Sequence, residues 1–363
     1  MSAPSDASRI GKWSEQEVLE RIEAVRRRAP RIREQAITMA HGAGGKASQT
    51  LVEALFQPAF GNPAGDQAPF RVGDATLAVT TDSYVVSPLF FPGGDIGELA
   101  VNGTVNDLAV GGAEPLCITA GFILEEGFPI ADVRRIAASM ASAAAQAGVQ
   151  IVTGDTKVVQ RGKADGCYIN TTGVGWLDRP HRMDPSSVRP GDVVLVSGPI
   201  GDHGVTILLA RGELDIDANL VSDTAPLHAA TAALLDAAPG VRVMRDATRG
   251  GVATVLNEIA EAAQVAVVVD EAAVPVRPAV TGACELLGID PLYVACEGRF
   301  VAIVDRADLE AGLSALRAAP FGEAATVIGE VRADPPGLVL ARTAFGGTRI
   351  VDTLVGDPLP RIC

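Results

Sequence analysis

Four aspartates sit beside glycine or threonine in short polar stretches: Asp82 in "TTDSY", Asp107 in "VNDLAVGG", Asp155 in "VTGDTK" and Asp246 in "RDATRGG". Brought together, hard carboxylates suit Mg²⁺, which takes oxygen ligands and keeps substrate phosphates in its shell. Taken singly, each also reads as an ordinary turn or helix-cap residue. The set carries the argument. "AHGAGGKAS" (40–48) adds a glycine-rich turn ending in Lys46. It is not a Walker A loop, because Ala40 stands at the first glycine and Ala47 where Ser or Thr would ligate the metal. A loop whose lysine reaches phosphates and a plain turn both fit. "PIGDHGV" (199–205) is a second glycine-flanked loop, with His203 inside it. The final segment, "DPLPRIC" (357–363), puts a thiol, Cys363, on the end of a short tail containing two prolines.

Regular punctuation sets the elements that must position these groups. "TLAVTTDSYVV" (76–86), "PLCITAGFILEE" (115–126), "VQIVTGDTKVV" and "CYINTTGVGWL" read as strands. Apolar spacing and a glycine stop predict helices over 95–112 and 130–148. A loop dense in Pro and Asp, 178–192, breaks the pattern and marks a domain boundary. Beyond it, strands are expected at 192–198, 241–247, 266–270, 299–304 and 324–330, and helices at 250–263 and 307–319. Alternating strands and helices in both halves give an α/β, or mixed α+β, class. At the start, "SEQEVLERIEAVRRR" (14–28) reads as an amphipathic helix capped by Ser14 and Glu17, with Pro30 beyond it. It belongs to an extension, 1–36, best read as a docking arm or a mobile segment.

Composition bounds the function. The chain has 363 residues, 48% of them apolar, enough for two domains with large cores. A net charge of −14 repels phosphate backbones, so nucleic acid is not an expected partner. A nucleotide carried with Mg²⁺ remains compatible. The five cysteines show no metal-ligand spacing and no disulfide framework, which suggests a reducing compartment. With no apolar leader and no spanning run, a soluble cytoplasmic protein with no membrane contact is expected. Cys117, Cys167, Cys284 and Cys296 read as small core hydrophobes.

Longer strings point further. "MAHGAGG", "TDSYVVSPLFFPGGDIGELAVNGTVNDLAVGGAEP", "GFILEEG", "IVTGDTKVVQRG", "GDHGVTILLARGEL", "RDATRGGVATVLNEIA", "ACEG" and the terminal "PRIC" closely resemble the HypE family, carbamoyl dehydratases of [NiFe]-hydrogenase maturation. The resemblance covers residues 37–363. It implies a two-domain PurM-like fold: an N-terminal ATP-binding and dimerisation domain (37–180), a C-terminal α/β domain (190–353) and a mobile tail (354–363). It implies a homodimer with ATP and Mg²⁺ as cofactors. A HypF-type carbamoyltransferase would load a carboxamide on Cys363. ATP-dependent dehydration would turn it into an S-bound nitrile, and a HypC–HypD complex would receive the cyanide.

The resemblance also distributes roles. Cys363 is the carrier, Glu297 the candidate general base, and Lys157 the group that stabilises charge on the carboxamide oxygen or the phosphoryl. Asp82, Asp107 and Asp155 would hold Mg²⁺–ATP, with Asp246 as a fourth metal ligand, and Gly44, Gly45, Lys46 and His41 would line the nucleotide. For His41 and His203, phosphate contact and core packing fit equally well. A tether makes physical sense for this substrate: seven residues beyond Gly356 span on the order of 22 Å as polyproline II, and attachment makes the encounter intramolecular. Other enzymes of the same superfamily are alternatives, but no cysteine precedes Cys117, which disfavours a selenophosphate synthetase. A non-enzymatic scaffold carrying a ligand on Cys363 is the alternative from another class.

Overall fold

The structure, a computed structural model, describes residues 31–32, 34–61, 66–179, 183–212, 219–354, 359 and 361–363. The helix expected over 14–28, and Pro358 and Pro360 of the tail, lie outside these residues.

The glycine-rich turn runs directly into a helix for which the sequence pattern gives no signal. This helix, α1 (46–60), contains one π turn, Val52–Phe56, just before Pro58. Then come β1 (Ala68–Val72), β2 (Ala75–Tyr84), a two-stranded ribbon of β3 (Phe90–Phe91) and β4 (Gly94–Asp95), and α2 (Ile96–Val110). After them follow β5 (Glu114–Glu125), α3 (Ile130–Ala147), β6 (Gln150–Val159) and β7 (Cys167–Trp176). Five of these strands form one sheet in the order β1-β2-β7-β5-β6, antiparallel except for β5 with β6. Strand β6 is its edge and is exposed along nearly all its length.

α2 is buried almost all round, which an amphipathic helix cannot be. It packs on β2, β5 and β7 on one side and on the second half of the chain on the other. Asp95 starts it, accepting from the amides of Gly97 (2.8 Å) and Glu98 (3.1 Å). α3 ends on Gly148, whose left-handed backbone (φ 70°) suits glycine.

The second half begins with β8 (Val193–Val196), α4 (Asp202–Ala210), α5 (His228–Ala237), β9 (Val241–Asp246), α6 (Gly251–Ala263) and β10 (Ala266–Asp270). It continues through α7 (Pro278–Leu287), β11 (Phe300–Val304), α8 (Leu309–Ala318), β12 (Thr326–Arg332), β13 (Leu338–Arg342) and β14 (Thr348–Val351). These strands build a seven-stranded sheet, β14-β13-β10-β12-β8-β11-β9. Both faces are covered, so β8 is the continuous apolar run "VVLV" rather than an alternating one. Val194 and Val196 pack with α6, while Leu195 packs with α5 and α8. Among the described residues no helix is long and apolar enough to cross a membrane.

Candidate functional site

Carboxylates converge where the C-terminal end of β2, the buried helix α2 and the end of β9 meet. Asp82, Asp107 and Asp246 influence one another electrostatically, and Asp66, from the segment before β1, joins them. Asp66 is held by Arg245 at 2.8 Å. Burial and the neighbouring carboxylates push Asp107 and Asp246 well above the ordinary carboxylate range. Asp82 is raised by burial and pulled back by Arg249. Thr80 Oγ1 stands between two acceptors, 2.7 Å from the Asp66 carbonyl and 2.6 Å from Asp107 Oδ2, and its hydrogen bond to Asp107 partly offsets the rise there.

A cleft of about 360 Å³ opens beside the cluster, lined by His41, Gly42, Gly44, Asp66, Asp246 and Glu258 among others. The glycine-rich turn forms its lip by backbone contact. A Cβ on Gly44 would meet Arg249 at 2.8 Å in a left-handed backbone (φ 75°), and one on Gly45 would meet the Leu354 carbonyl at 2.6 Å. His41 faces the cleft, and its Nδ1 accepts from the Thr38 amide at 3.0 Å. Lys46 turns away: its ammonium pairs with Asp352 at 2.8 Å, outside the cleft.

Glu297 is 3% exposed. Among the described residues its Oε1 has no hydrogen-bond partner, and burial with Asp246, Asp82 and Asp223 raises its carboxyl well above the usual range while Arg249 lowers it. Its backbone is fixed from two sides, by Asp223 Oδ1 accepting from its amide (2.9 Å) and Asn106 Nδ2 donating to its carbonyl (3.2 Å).

The chain end is docked in this structure. Leu359, Ile362 and Cys363 belong to the apolar core of the first sheet and its helices. The Val85 amide donates to an oxygen of the Cys363 terminal carboxylate (3.0 Å), the Ser87 amide to the Arg361 carbonyl (3.2 Å), and His203 Nε2 meets the Ile362 carbonyl (2.6 Å). The Arg361 side chain pairs with Asp165. Cys363 lines a pocket of about 140 Å³ shared with Arg249, Gly42, Tyr293 and Leu354. Arg249 and Gly42 also line the carboxylate cleft, so one arginine stands between thiol pocket and cleft. The negative charge of Cys363 is the largest influence raising the Arg249 pKa.

Asp155 and Lys157 are not brought to this cluster. Cross-strand partners share a sheet face. One row runs Asp82, Thr171, Ala120, Gly154 and faces α2, where Thr171 Oγ1 reaches the Ala100 carbonyl. The neighbouring row runs Ser83, Asn170, Gly121, Asp155 and faces the open side, about 14 Å across at three strand spacings. Asp155 and Lys157 pair with each other, with side chains 69% and 68% exposed. Within one chain they cannot join Asp82, Asp107 and Asp246. Sequence reasoning also missed Arg249, although it lies inside "RDATRGG", and Asp66, whose segment carries no periodicity.

Two family models match the chain: AIR synthase related protein, N-terminal domain, over residues 64–177, and its C-terminal domain over 189–340. The fold is that of the AIR-synthase-related, PurM-like class. Carbamoyl dehydratase HypE of Cupriavidus necator is 55% identical over 332 residues, 90% of this chain and 95% of that relative. A crystal structure of a HypE–HypF complex aligns with TM-score 0.79 and 45% identity, covering 84% of this chain and 99% of the other. HypE in complex with ATP aligns with TM-score 0.77 and 46% identity, covering 90% and 100%. The chain belongs to the HypE family, the carbamoyl dehydratases of hydrogenase maturation.

Proposed function

We propose that the protein uses ATP to dehydrate a carboxamide carried on Cys363 to an S-bound nitrile, the source of cyanide for a hydrogenase iron. The observation that carries this reading is the docked chain end, with the Cys363 pocket and the acidic cleft meeting at Arg249. A relative crystallised with ATP supports nucleotide binding, and the acidic cleft is the place we assign to it. The carboxamide oxygen is a poor leaving group until phosphorylated. It then departs as phosphate while the nitrogen loses its protons, closing the C≡N bond. Glu297, buried and with a free Oε1, is placed to take a proton from that nitrogen. Arg249 offsets negative charge between thiol pocket and cleft.

Mg²⁺ would be held by Asp82, Asp107 and Asp246, with Asp66 beside them. These residues fit it, since burial raises all three carboxyls, with crowding by neighbouring carboxylates adding to the rise of Asp107 and Asp246, and a cation would offset both. Among the described residues no three such groups close into a cage of their own, so the nucleotide phosphates would complete the shell. When bound, the ion would neutralise charge on those phosphates.

Gly44, Gly45 and His41 form or flank the cleft lip, and Lys46 would have to leave Asp352 to reach a phosphate. Asp155 and Lys157 keep a role in a homodimer built across the β6 edge, where exposed Val152 and Val158 also await cover. A HypF-type carbamoyltransferase is the donor we assign, supported by the related HypE–HypF complex, and a HypC–HypD pair is the recipient. The test is mass spectrometry of the C-terminal peptide after loading by such a transferase. Loss of one water from the Cys363 adduct only on adding Mg²⁺–ATP is expected. An adduct that never dehydrates would make Cys363 a mere carrier and the protein a scaffold.

A further inference from the structure

His203 was read from the sequence as a phosphate contact or a packed core residue, and the structure gives it different work. It lies in the first turn of α4 with no exposed surface. Its Nε2 is 2.6 Å from the Ile362 carbonyl, one residue before the reactive thiol, and its Nδ1 is 2.7 Å from Ser222 Oγ. A carbonyl only accepts, so Nε2 carries the hydrogen and Nδ1 must accept from the Ser222 hydroxyl. Ser222 Oγ in turn accepts from the Thr224 amide at 3.1 Å. The tautomer that can hold the tail is thus selected by Ser222.

The segment doing the selecting is the one that seats Glu297. Next to Ser222, Asp223 Oδ1 accepts from the Glu297 amide at 2.9 Å. The Asp223 carbonyl lies so close to Gly298 that a Cβ there would fall 1.8 Å from it. Asn106 Nδ2 reaches both the Ala225 carbonyl (3.0 Å) and the Glu297 carbonyl (3.2 Å). Segment 222–225 therefore touches the tail through His203, and the base through the Asp223 carboxylate and, by way of Asn106, the Ala225 carbonyl.

We propose that His203, oriented by Ser222, is a positioning residue that sets the register of the docked tail and ties that register to the seat of Glu297. The inference rests on the dehydratase reading for its second half only; the docking half stands without it. Ser222→Ala leaves the imidazole in place but frees its tautomer. His203→Gln keeps a donor toward Ile362, and His203→Ala keeps none.

The test is alkylation of the full-length protein by iodoacetamide, without nucleotide, followed by peptide mass spectrometry at Cys363 against the buried Cys284 and Cys296. Ser222→Ala should speed alkylation of Cys363 on the order of fivefold, the worth of one neutral hydrogen bond, with Cys284 and Cys296 unchanged. His203→Ala should speed it further, and His203→Gln should recover much of the protection. Unchanged Cys363, or an equal rise at all three cysteines, would overturn the proposal, the latter reducing His203 to packing. In protein loaded at Cys363, Ser222→Ala should also slow single-turnover loss of water, and an unaltered rate would sever the link to Glu297. If the unsubstituted loaded protein never loses water, the dehydratase reading fails while the alkylation result still decides the docking claim.

Discussion

Replacing Glu297 by Gln separates the chemistry from the fold, because the two should move in opposite directions. The carboxyl is buried, lacks a partner on Oε1, and faces the charges of Asp246, Asp82 and Asp223. An amide of the same shape removes a charge that burial and these neighbours disfavour, and it brings donors toward acceptors. Thermal stability should stay level or rise by about 1 kcal/mol, roughly 2 °C for a chain of this size. A general base contributes about 10²- to 10⁴-fold, so the dehydration barrier should grow by about 3–5 kcal/mol. The assay is single-turnover conversion of the loaded Cys363 peptide, read by mass, with loading measured separately. Loading should be normal and conversion nearly stalled. In unsubstituted protein the rate should climb with pH through an inflection above the ordinary carboxylate range, because Glu297 must lose a proton that its surroundings retain. Normal conversion by Glu297→Gln would remove this residue from the reaction. A loss of several kcal/mol of stability would instead show that Glu297 is ionised and firmly paired with Arg249 at rest.

Other perturbations test neighbouring links. Arg249→Met removes the group that lowers the Glu297 pKa, so the rising limb of the pH–rate profile should move to higher pH; a move downward would refute their coupling. Asp107→Asn should stabilise the nucleotide-free protein by about 1 kcal/mol in thermal melts, by removing a buried acid crowded by Asp246, Asp66 and Asp82, while calorimetry shows weakened Mg²⁺–ATP binding. His203 is held at about 4 against an ordinary 6.5, so it favours folding above pH 6.5 and loses that contribution as pH falls. At 1.36 kcal/mol per unit this is worth about 3 kcal/mol by pH 4, and urea melts of His203→Gln should show a flatter acid limb than the parent. Val152→Lys on the β6 edge should shift a homodimer toward monomer in analytical ultracentrifugation, and an unmoved dimer would place the interface elsewhere.

What the sequence disclosed, and what it withheld, divides along local and non-local lines. Strands and helices were legible because period and punctuation are local: Gly148 ends α3 where a left-handed residue is needed, and "VVLV" reads as a strand before anything covers it. Helix α1 escaped because Pro58 and a π turn interrupt its pattern. Asp82, Asp107 and Asp246 could be picked out by their glycine and threonine neighbours, but Asp66 depends on Arg245, 179 residues away. Asp155 carries the same local signature as the others, and nothing near it in the chain says that its strand is an edge or which face it takes. Only the register through Gly121 and Asn170 puts it on the open side. The seat of the tail was hidden for a related reason. Its prolines advertise an extended form, while Leu359 and Ile362, side chains a solvated tether has no use for, were the available sign that it has a seat. That seat is made by Val85, Ser87, His203 and Arg211, all distant in sequence, so docking is a property of the folded chain that short-range pattern could not report.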